Sequence, residues 1–354
     1  MERDLDNLET IKRHDTKDML SIIGRFPKDA QEAIRDSEKL DVTSVDTEDT
    51  QALLIAGMGG SAVGGLLLKD WLSESCNIPI IVSRRYHLPA WFDDNVLLYV
   101  VSYSGNTEET LSQFREASEL NCPMICFTSG GELSLWASKK KIPAFHFPKG
   151  YQPRAAIAFQ FFGLAGVSRR LGLIDDETWS EVEEALKVLK TLSESMDPKR
   201  PVEKNLGKSL ALSLKGYIPF TYGSPLYENV SYRYSTQFNE NSKSPSAASF
   251  LPEAFHNSVM AREADPKLVE KCCVVVIRDK NDASIDLKTV RFMRLMSERF
   301  GRIVEVEPIG KGRLSRMLSA LYIGDFASAY LSILYGNDPS TTYSIDLLKK
   351  AGPQ

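Results

Sequence analysis

Short apolar runs alternate with helix-like segments along the first half of the chain. These runs are apolar throughout rather than alternately polar, which is typical of strands buried on both faces of a parallel sheet. The amphipathic segments between them have the length and pattern of crossover helices. Five strands are predicted, at 52–56, 78–83, 95–102, 123–128 and 142–147. Together they indicate a doubly wound α/β domain.

The second half of the chain repeats this alternation after a break. At the break, a long amphipathic helix is predicted, and a stretch rich in proline and charged residues ends that helix. Further strands are predicted at 217–224, 272–279 and 301–308. We therefore expect two α/β domains in tandem, a diverged duplication. The predicted segments are an N-terminal helical piece with the first domain at 1–170, a linker helix at 171–204 and a second domain at 205–354.

Composition and charge narrow the classes of partner. The 354 residues are 43% hydrophobic and 25% charged, which is ordinary for a globular chain with a substantial core. The formal net charge is −4, and the one basic run is the short stretch 138–143. A nucleic-acid-binding surface requires a basic patch or stripe. We therefore expect no nucleic-acid partner.

Cysteine usage and the longest apolar stretches bear on the cellular compartment. The five cysteines form no C-x-x-C pair, and their odd number fits neither a disulfide framework nor a zinc site. The charged N-terminus lacks the apolar core of a secretory signal. Of the apolar stretches, 155–167 is too short to span a bilayer, and Asp325 interrupts 320–335. We expect a cytoplasmic protein without a membrane partner or a zinc site.

A glycine-rich turn, AGMGGSAVGG at 56–65, directly follows the first predicted strand and opens a helix. Glycine lets the backbone approach a ligand, and the N–H groups of a helix N-terminus attract anions. The spacing of Gly57, Gly59 and Ala62 also meets a loose dinucleotide-binding pattern. That pattern expects an acid after the second strand, where two arginines stand instead. Because arginines could bind the 2′-phosphate of NADP, an NADP site remains an alternative, but a weaker one than a phosphate site.

A second polar turn, SYSGNTEET at 102–110, follows the third predicted strand. Neighbouring parallel strands end at one edge of the sheet, so the two turns are expected to meet there. No Walker lysine follows either turn, which disfavours nucleoside triphosphate chemistry. Each hydroxyl taken singly is better explained by helix capping or a turn, and only the two turns together favour a phosphate site. The hydroxyls expected to surround a compact phosphate are those of Ser61, Ser102, Ser104 and Thr107.

These motifs resemble a known family. GMGGSAVGG, SYSGNTEET and YQPRAA resemble the sugar isomerase (SIS) fold, whose N-terminal signatures also occur in sugar-binding regulators. With FNENSKSP, PEAFHNS and SIDLLKK added, nearly the whole chain resembles the bifunctional phosphoglucose/phosphomannose isomerases. The resemblance implies two tandem SIS domains, each a flavodoxin-like parallel sheet.

The resemblance also implies an activity. Members of this family interconvert fructose 6-phosphate with glucose 6-phosphate and mannose 6-phosphate without a metal. The substrate is thus expected to be a hexose 6-phosphate, and the resemblance implies that no cofactor or metal is needed. A histidine of the family comes from the neighbouring subunit, so the resemblance implies a homodimer with shared active sites.

Site residues follow from the matching motifs. Glu240 matches the base that moves a proton between C1 and C2, and His256 matches a group that helps to open the sugar ring. Lys349 matches a lysine assigned to ring opening, with Lys350 an equally plausible choice, and Arg154 matches an arginine near the enediolate. Without the resemblance, a solvated surface position would be the better explanation of Glu240 and of Lys349.

The phosphate is expected on the first turn, and specificity near the C-terminus. The turn Gly59-Gly60-Ser61 matches the family's phosphate loop, which the hydroxyls of the second turn complete. Thr342, or its neighbour Thr341, matches a threonine that makes room for both configurations at C2.

Two other functions remain open at this point. An amino-sugar phosphate isomerase would use the same fold, although no amidotransferase domain is visible in the sequence. A non-catalytic sugar-phosphate sensor would need an attached DNA-binding segment, and the polar N-terminus does not resemble one.

Overall fold

A computed structural model describes residues 4–350. Contacts divide the chain into two compact units. The internal unit is Phe26–Leu186; the terminal unit combines the residues up to Arg25 with those from Lys187 onward. Each unit has its own parallel sheet. The predicted class, α/β with two doubly wound sheets in tandem, is confirmed.

The helices of the described residues are numbered along the chain. Two of them, α7 and α13, are buried on nearly every side, whereas α3 is strongly amphipathic. Their bounds are α1 Leu8–His14, α2 Met19–Gly24, α3 Phe26–Lys39, α4 Gly60–Leu72, α5 Glu108–Ala117, α6 Gly131–Lys140, α7 Ile157–Arg170, α8 Asp176–Ser195, α9 Leu206–Leu214, α10 Glu228–Glu240, α11 Pro266–Val269, α12 Ala283–Ser297, α13 Arg313–Leu334 and α14 Tyr343–Lys350.

The internal unit contains a sheet of five parallel strands in the order β2-β1-β3-β4-β5. This is the flavodoxin-like order, in which the carboxyl ends of β1 and β3 flank a ligand crevice. Every residue of β1 and β3 is buried, as the uninterrupted apolar runs predict. All five predicted strands are confirmed: β1 Ala52–Gly57, β2 Ile80–Ser83, β3 Val96–Ser102, β4 Met124–Thr128 and β5 Ala144–His146.

The terminal unit contains four parallel strands in the order β7-β6-β8-β9. By this order, β6 and β8 take the places that β1 and β3 take in the other sheet. The edge strand β7 was not predicted, because AASF is short and only partly buried and lacks an apolar run. The strands are β6 Ile218–Gly223, β7 Ala247–Phe250, β8 Cys272–Ile277 and β9 Arg302–Val306.

The N-terminal helices belong to the terminal unit. The Tyr322 hydroxyl of α13 donates to the Ile23 carbonyl of α2 at 3.0 Å, and Lys208 Nζ donates to Asp6 at 3.0 Å. This differs from the predicted segments, which attached residues 1–25 to the first domain and made α8 a linker. The apolar residues of α2 indicate that this helix must be buried, but the sequence does not indicate which helix covers it.

Helix α13 is long and apolar enough to cross a membrane by length and composition, yet its most apolar stretch is wholly buried inside the protein. Asp325 lies in its middle and receives two hydrogen bonds from Arg233 of α10, at 2.8 and 2.7 Å. A side chain at Gly324 would collide with the Tyr234 ring of α10. Gly324 and Asp325 thus set a close crossing of α10 and α13.

Candidate active site

The first glycine turn joins β1 to α4 with little space around its backbone. A Cβ atom at Gly57 would lie 3.2 Å from the Val101 carbonyl oxygen of β3. Gly59 has φ +52°, in the left-handed region that favours glycine, and α4 begins at the next residue. The N-terminus of α4 therefore lies at the carboxyl edge of the sheet, where a helix N-terminus can bind an anion.

The second turn holds its hydroxyls against one another. Ser102 Oγ and Thr107 Oγ1 lie 2.9 Å apart, and the Gly105 N–H donates to Ser102 Oγ at 3.1 Å. The Asn106 N–H donates to Ser104 Oγ at 3.2 Å. Thr107 is the N-cap residue of α5 but makes no side-chain capping bond. Capping therefore does not explain its hydroxyl, and the Ser102–Thr107 pair lies at the edge where the sequence predicts a phosphate.

Tyr103 connects the two turns. Its backbone N–H donates to Ser61 Oγ at 3.1 Å, while its carbonyl accepts from Ser129 Oγ at 2.6 Å. Ser61 is only 5% exposed, so this bond fixes its hydroxyl at the start of α4. The structure thus brings Ser61 and the 102–107 turn together, as predicted for one phosphate cradle.

Arg154 lies beside the first turn. It belongs to a short 3-10 turn, Pro153–Ala156, that leads into α7, and it is 5% exposed. A Cβ atom at Gly60 would lie 3.0 Å from both the Pro153 carbonyl oxygen and the Arg154 nitrogen. The backbone of this arginine therefore packs directly on the glycine turn. All phosphate-side residues of the prediction share the internal unit.

Glu240 is the last residue of α10, in the terminal unit. Two side chains after it fix the helix end on α13: Asn241 Nδ2 donates to Ser328 Oγ at 2.9 Å, and Ser242 Oγ donates to the Ser328 carbonyl at 2.7 Å. Lys243 Nζ lies 2.9 Å from the Glu240 carbonyl oxygen. These contacts hold the backbone of the predicted base in one position.

Lys243 also connects Glu240 to the C-terminal segment. Its ammonium donates to the carbonyls of Asp338 and Thr341, at 3.0 and 3.1 Å. The next residue, Thr342, donates from its hydroxyl to Asp346 at 3.1 Å in the first turn of α14. The same lysine therefore contacts the backbone of the predicted base and that of Thr341, the neighbour of the predicted specificity threonine.

His256 and Lys349 occupy other elements of the terminal unit. His256 is exposed and follows a 3-10 turn after β7, with its N–H donating to the Glu253 carbonyl at 2.9 Å. Lys349 and Lys350 lie in α14, but their side chains are outside the described residues. Their assigned roles stay predictions.

The corresponding edge of the second sheet is occupied by a side chain of the protein itself. Asp279, in the loop after β8, accepts from the Tyr227 hydroxyl at 2.7 Å and from Arg316 Nε at 2.9 Å. Its other oxygen accepts from the N–H and the side-chain amide of Asn281 at 2.9 and 3.0 Å. Burial would raise the pKa of Asp279, but these hydrogen bonds and the Arg316 charge lower it.

No cluster of metal ligands occurs in the described part of the chain, residues 4–350. No three His, Cys, Asp or Glu side chains come together there as a metal site requires.

Sequence reasoning missed two residues that organise the site. Tyr103 stands inside the quoted second turn and Lys243 inside FNENSKSP, but neither carries a signal of its own. Tyrosine between serines and lysine after a helix are both common. The role of each residue is visible only from its hydrogen-bond partners in the fold. These partners lie 42 residues away for Tyr103 and up to 98 residues away for Lys243.

Comparisons with known proteins agree with this arrangement. A family model described as the bacterial phospho-glucose isomerase C-terminal SIS domain matches residues 203–351. A hypothetical protein from Thermus thermophilus superposes with a TM-score of 0.76 at 14% identity, covering 98% of this chain and 92% of its own. The two parallel sheets and the turns at their edges thus define an SIS-domain protein.

Relatives of similar length narrow the class to a family. A bifunctional phosphoglucose/phosphomannose isomerase of Caldicellulosiruptor bescii is 37% identical over 94% of this chain and 98% of its own. One from Aquifex aeolicus is 35% identical over 85% of this chain and 90% of its own. The chain belongs to the bifunctional phosphoglucose/phosphomannose isomerase family.

A relative named for a different activity is more distant. The D-glucosamine-6-phosphate 4-epimerase of Sulfolobus acidocaldarius is 29% identical over 65% of this chain and 69% of its own. The same fold therefore occurs with a different sugar-phosphate reaction.

Proposed function

We propose that this protein is a metal-independent aldose–ketose isomerase that interconverts fructose 6-phosphate with glucose 6-phosphate and mannose 6-phosphate. The observation that carries the proposal is the 37% identity to a bifunctional isomerase over 98% of that relative's length. The phosphate cradle of the internal unit gives it a chemical basis.

The phosphate anchors the substrate and takes no part in the chemistry. The N–H groups at the start of α4 and the hydroxyls of Ser61, Ser102, Ser104 and Thr107 hold it. Hydrogen bonds from a helix N-terminus and from hydroxyls suit a dianion of this size. Binding energy at this remote group fixes the reacting carbons at the base.

The reaction then needs ring opening, one proton transfer between C2 and C1, and the transfer of the hydroxyl proton between O2 and O1. His256 and Lys349 share ring opening, one protonating the ring oxygen while the other takes the hydroxyl proton. Glu240 removes a proton from C2 of the aldose, or from C1 of the ketose, and returns it to the other carbon. The intermediate is a cis-enediolate, and the fixed positive charge of Arg154 stabilises it.

Dual specificity depends on space at C2, where glucose and mannose differ. Thr342 is small, and its hydroxyl already bonds to Asp346, so it presents little bulk to the sugar. We propose that it admits both configurations. The protein is further proposed to act as a cytoplasmic homodimer, with His256 serving the neighbouring subunit's site.

A direct assay tests the proposal. Purified protein is incubated with fructose 6-phosphate in excess EDTA, and both aldose phosphates are measured separately. We expect both products without added metal. Absence of turnover would contradict the isomerase, a metal requirement would contradict the mechanism, and one aldose alone would contradict dual specificity.

The base is tested by Glu240→Gln. We expect kcat to fall by about 10²–10⁴-fold, the usual contribution of a general base, with little change in substrate affinity. Glu228→Gln, at the opposite end of the same helix, is the matched control and should keep the wild-type rate. Wild-type turnover by the Glu240 variant would mean that another group moves the proton.

A second candidate is an amino-sugar phosphate activity, favoured by the similarity to the D-glucosamine-6-phosphate 4-epimerase. Glucosamine 6-phosphate is offered in the same assay, and its 4-epimer and ketose isomer are measured. Turnover of this substrate with none of fructose 6-phosphate would favour the second candidate. Binding of either sugar without turnover would instead indicate a sensor.

A further inference from the structure

We infer that Tyr103 and Gln160 are positioning residues that hold Arg154 against the phosphate cradle. The inference rests on the proposed function, because it assigns these residues to the arginine near the enediolate. Tyr103 stands inside the second turn without a predicted role there, and Gln160 lies in α7 outside the quoted motifs. Both act on the backbone of one segment, 148–154.

The Tyr103 hydroxyl holds the first end of this segment. It donates to the Pro148 carbonyl at 2.8 Å and accepts from the Tyr151 N–H at 2.9 Å. The ring stacks on Phe147 with centroids 6.0 Å apart, and the residue is 7% exposed. One hydroxyl thus closes the chain on both sides of Gly150, which has φ +96°.

The Gln160 side chain holds the second end. Its Nε2 donates to the Pro153 carbonyl at 3.0 Å, and the residue is 0% exposed. The same carbonyl oxygen lies against Gly60, where a Cβ atom would approach within 3.0 Å. Gln160 therefore fixes the peptide bond that leads into Arg154 at its contact with the glycine turn.

The amide oxygen of Gln160 indicates that this side chain is not kept for stability alone. Its Oε1 is buried without a hydrogen-bond partner among the described residues, which costs about 1–3 kcal/mol. A methionine would fill similar space without that cost. The polar side chain is therefore explained by the bond that it makes to Pro153.

Tyr103 couples this segment to the cradle as well. Its backbone N–H binds Ser61 Oγ, so the phosphate turn and the arginine segment are fixed by one residue. Tyr103→Phe retains that backbone bond and the ring but loses both hydroxyl contacts. The variant therefore separates phosphate binding from the placement of Arg154.

The test compares Tyr103→Phe and Gln160→Met with Tyr99→Phe. Tyr99 lies on the same β3 strand, is 0% exposed and loses one hydroxyl bond to Ser168, but contacts neither the cradle nor the arginine segment through that bond. For the first two variants we expect kcat for fructose 6-phosphate to fall about 10- to 100-fold, since small misplacements of a reacting group cost this much. KM and inhibition by inorganic phosphate should remain near wild type. The control should keep its kcat.

A double-mutant cycle distinguishes positioning from general loosening. If Tyr103 acts through Arg154, Tyr103→Phe should have no further effect on kcat in an Arg154→Ala background. Equal fold losses in both backgrounds would overturn the inference, as would a wild-type kcat for both single variants. Thermal unfolding of Gln160→Met should change little, because the lost bond is offset by removal of the unpartnered oxygen.

A binding measurement is independent of turnover. Arabinonate 5-phosphate carries a planar carboxylate where the enediolate would form, and its affinity is compared with that of inorganic phosphate. Tyr103→Phe should weaken the first about tenfold and leave the second unchanged. A parallel weakening of both would overturn the inference, whereas absence of isomerase activity with the expected binding pattern would overturn only the proposed function.

Discussion

The carboxyl edges of the two sheets differ in what satisfies their polar groups. In the internal unit, the turns after β1 and β3 present backbone N–H groups and paired hydroxyls such as Ser102 and Thr107. In the terminal unit, the loop after β8 supplies a carboxylate, Asp279, and surrounds it with Tyr227 and Arg316. The strand order places β6 and β8 where the first sheet has β1 and β3.

This difference shows how one topology serves two purposes. An edge that binds its own anion has its donors satisfied and does not need an external one. An edge lined by hydroxyls and a helix N-terminus keeps donors for a ligand. The donors that we propose for phosphate binding therefore lie in the internal unit, and the proposed base, Glu240, lies at a helix end of the terminal unit.

Asp279→Ala should have the largest effect on the terminal unit, because it removes the anion that this edge binds. Removing the carboxylate leaves the Arg316 guanidinium, whose side chain is 16% exposed, without its charge partner. Loss of one partner of a buried pair costs about 3–5 kcal/mol, so we expect the free energy of unfolding to fall by this amount in urea titrations. Asp286→Ala should cost less, because Arg278 keeps Glu305 as a second charge partner. Equal losses would show that Asp279 is no structural anion.

Removal of two hydroxyls tests whether the edge of the internal sheet binds the substrate phosphate. The double variant Ser102→Ala, Thr107→Ala should raise KM for fructose 6-phosphate by about 10- to 100-fold, since hydrogen bonds to a charged group contribute about 1.5–3 kcal/mol. Ser224→Ala, at the turn after β6, is the matched control and should leave KM unchanged. A similar rise in both would mean that both edges bind the substrate.

Acid should destabilise the terminal unit by a smaller amount. Because its hydrogen bonds and the Arg316 charge lower the pKa of Asp279 in the folded protein, its contribution is present above the unfolded pKa of about 3.9. That contribution is lost as the pH falls through the folded pKa. Urea titrations between about pH 6 and about pH 3 should therefore show a shallower loss for Asp279→Asn than for wild type. Identical slopes would exclude Asp279 as a source of the acid sensitivity.

The sequence predicted the internal sheet well because its strands are continuous apolar runs. The same signal identified β6, β8 and β9 but missed β7, whose residues Ala247–Phe250 are small or partly exposed. The packing of α2 on α13 also could not be predicted from the sequence. Its apolar residues require burial, but many apolar surfaces could provide it.

The site was predictable where chemistry is local. Both phosphate turns could be read from glycines and hydroxyls placed directly after strands, whereas Glu240 and His256 depended on a resemblance to known motifs. The connections made by Tyr103, Lys243 and Asp279 could not be predicted. Each depends on partners distant in sequence, and a single tyrosine, lysine or aspartate gives no indication of them.

The crossing of α10 and α13 constrains how the protein can diverge. Gly324, Asp325 and Ser328 face α10 within little more than one helical turn, and each residue of an α-helix rotates the chain by about 100°. A one-residue insertion or deletion just before Gly324 would turn all three away from α10 at once. We therefore expect α13 to keep its length in descendants of this sequence while the loop at 307–312 absorbs insertions.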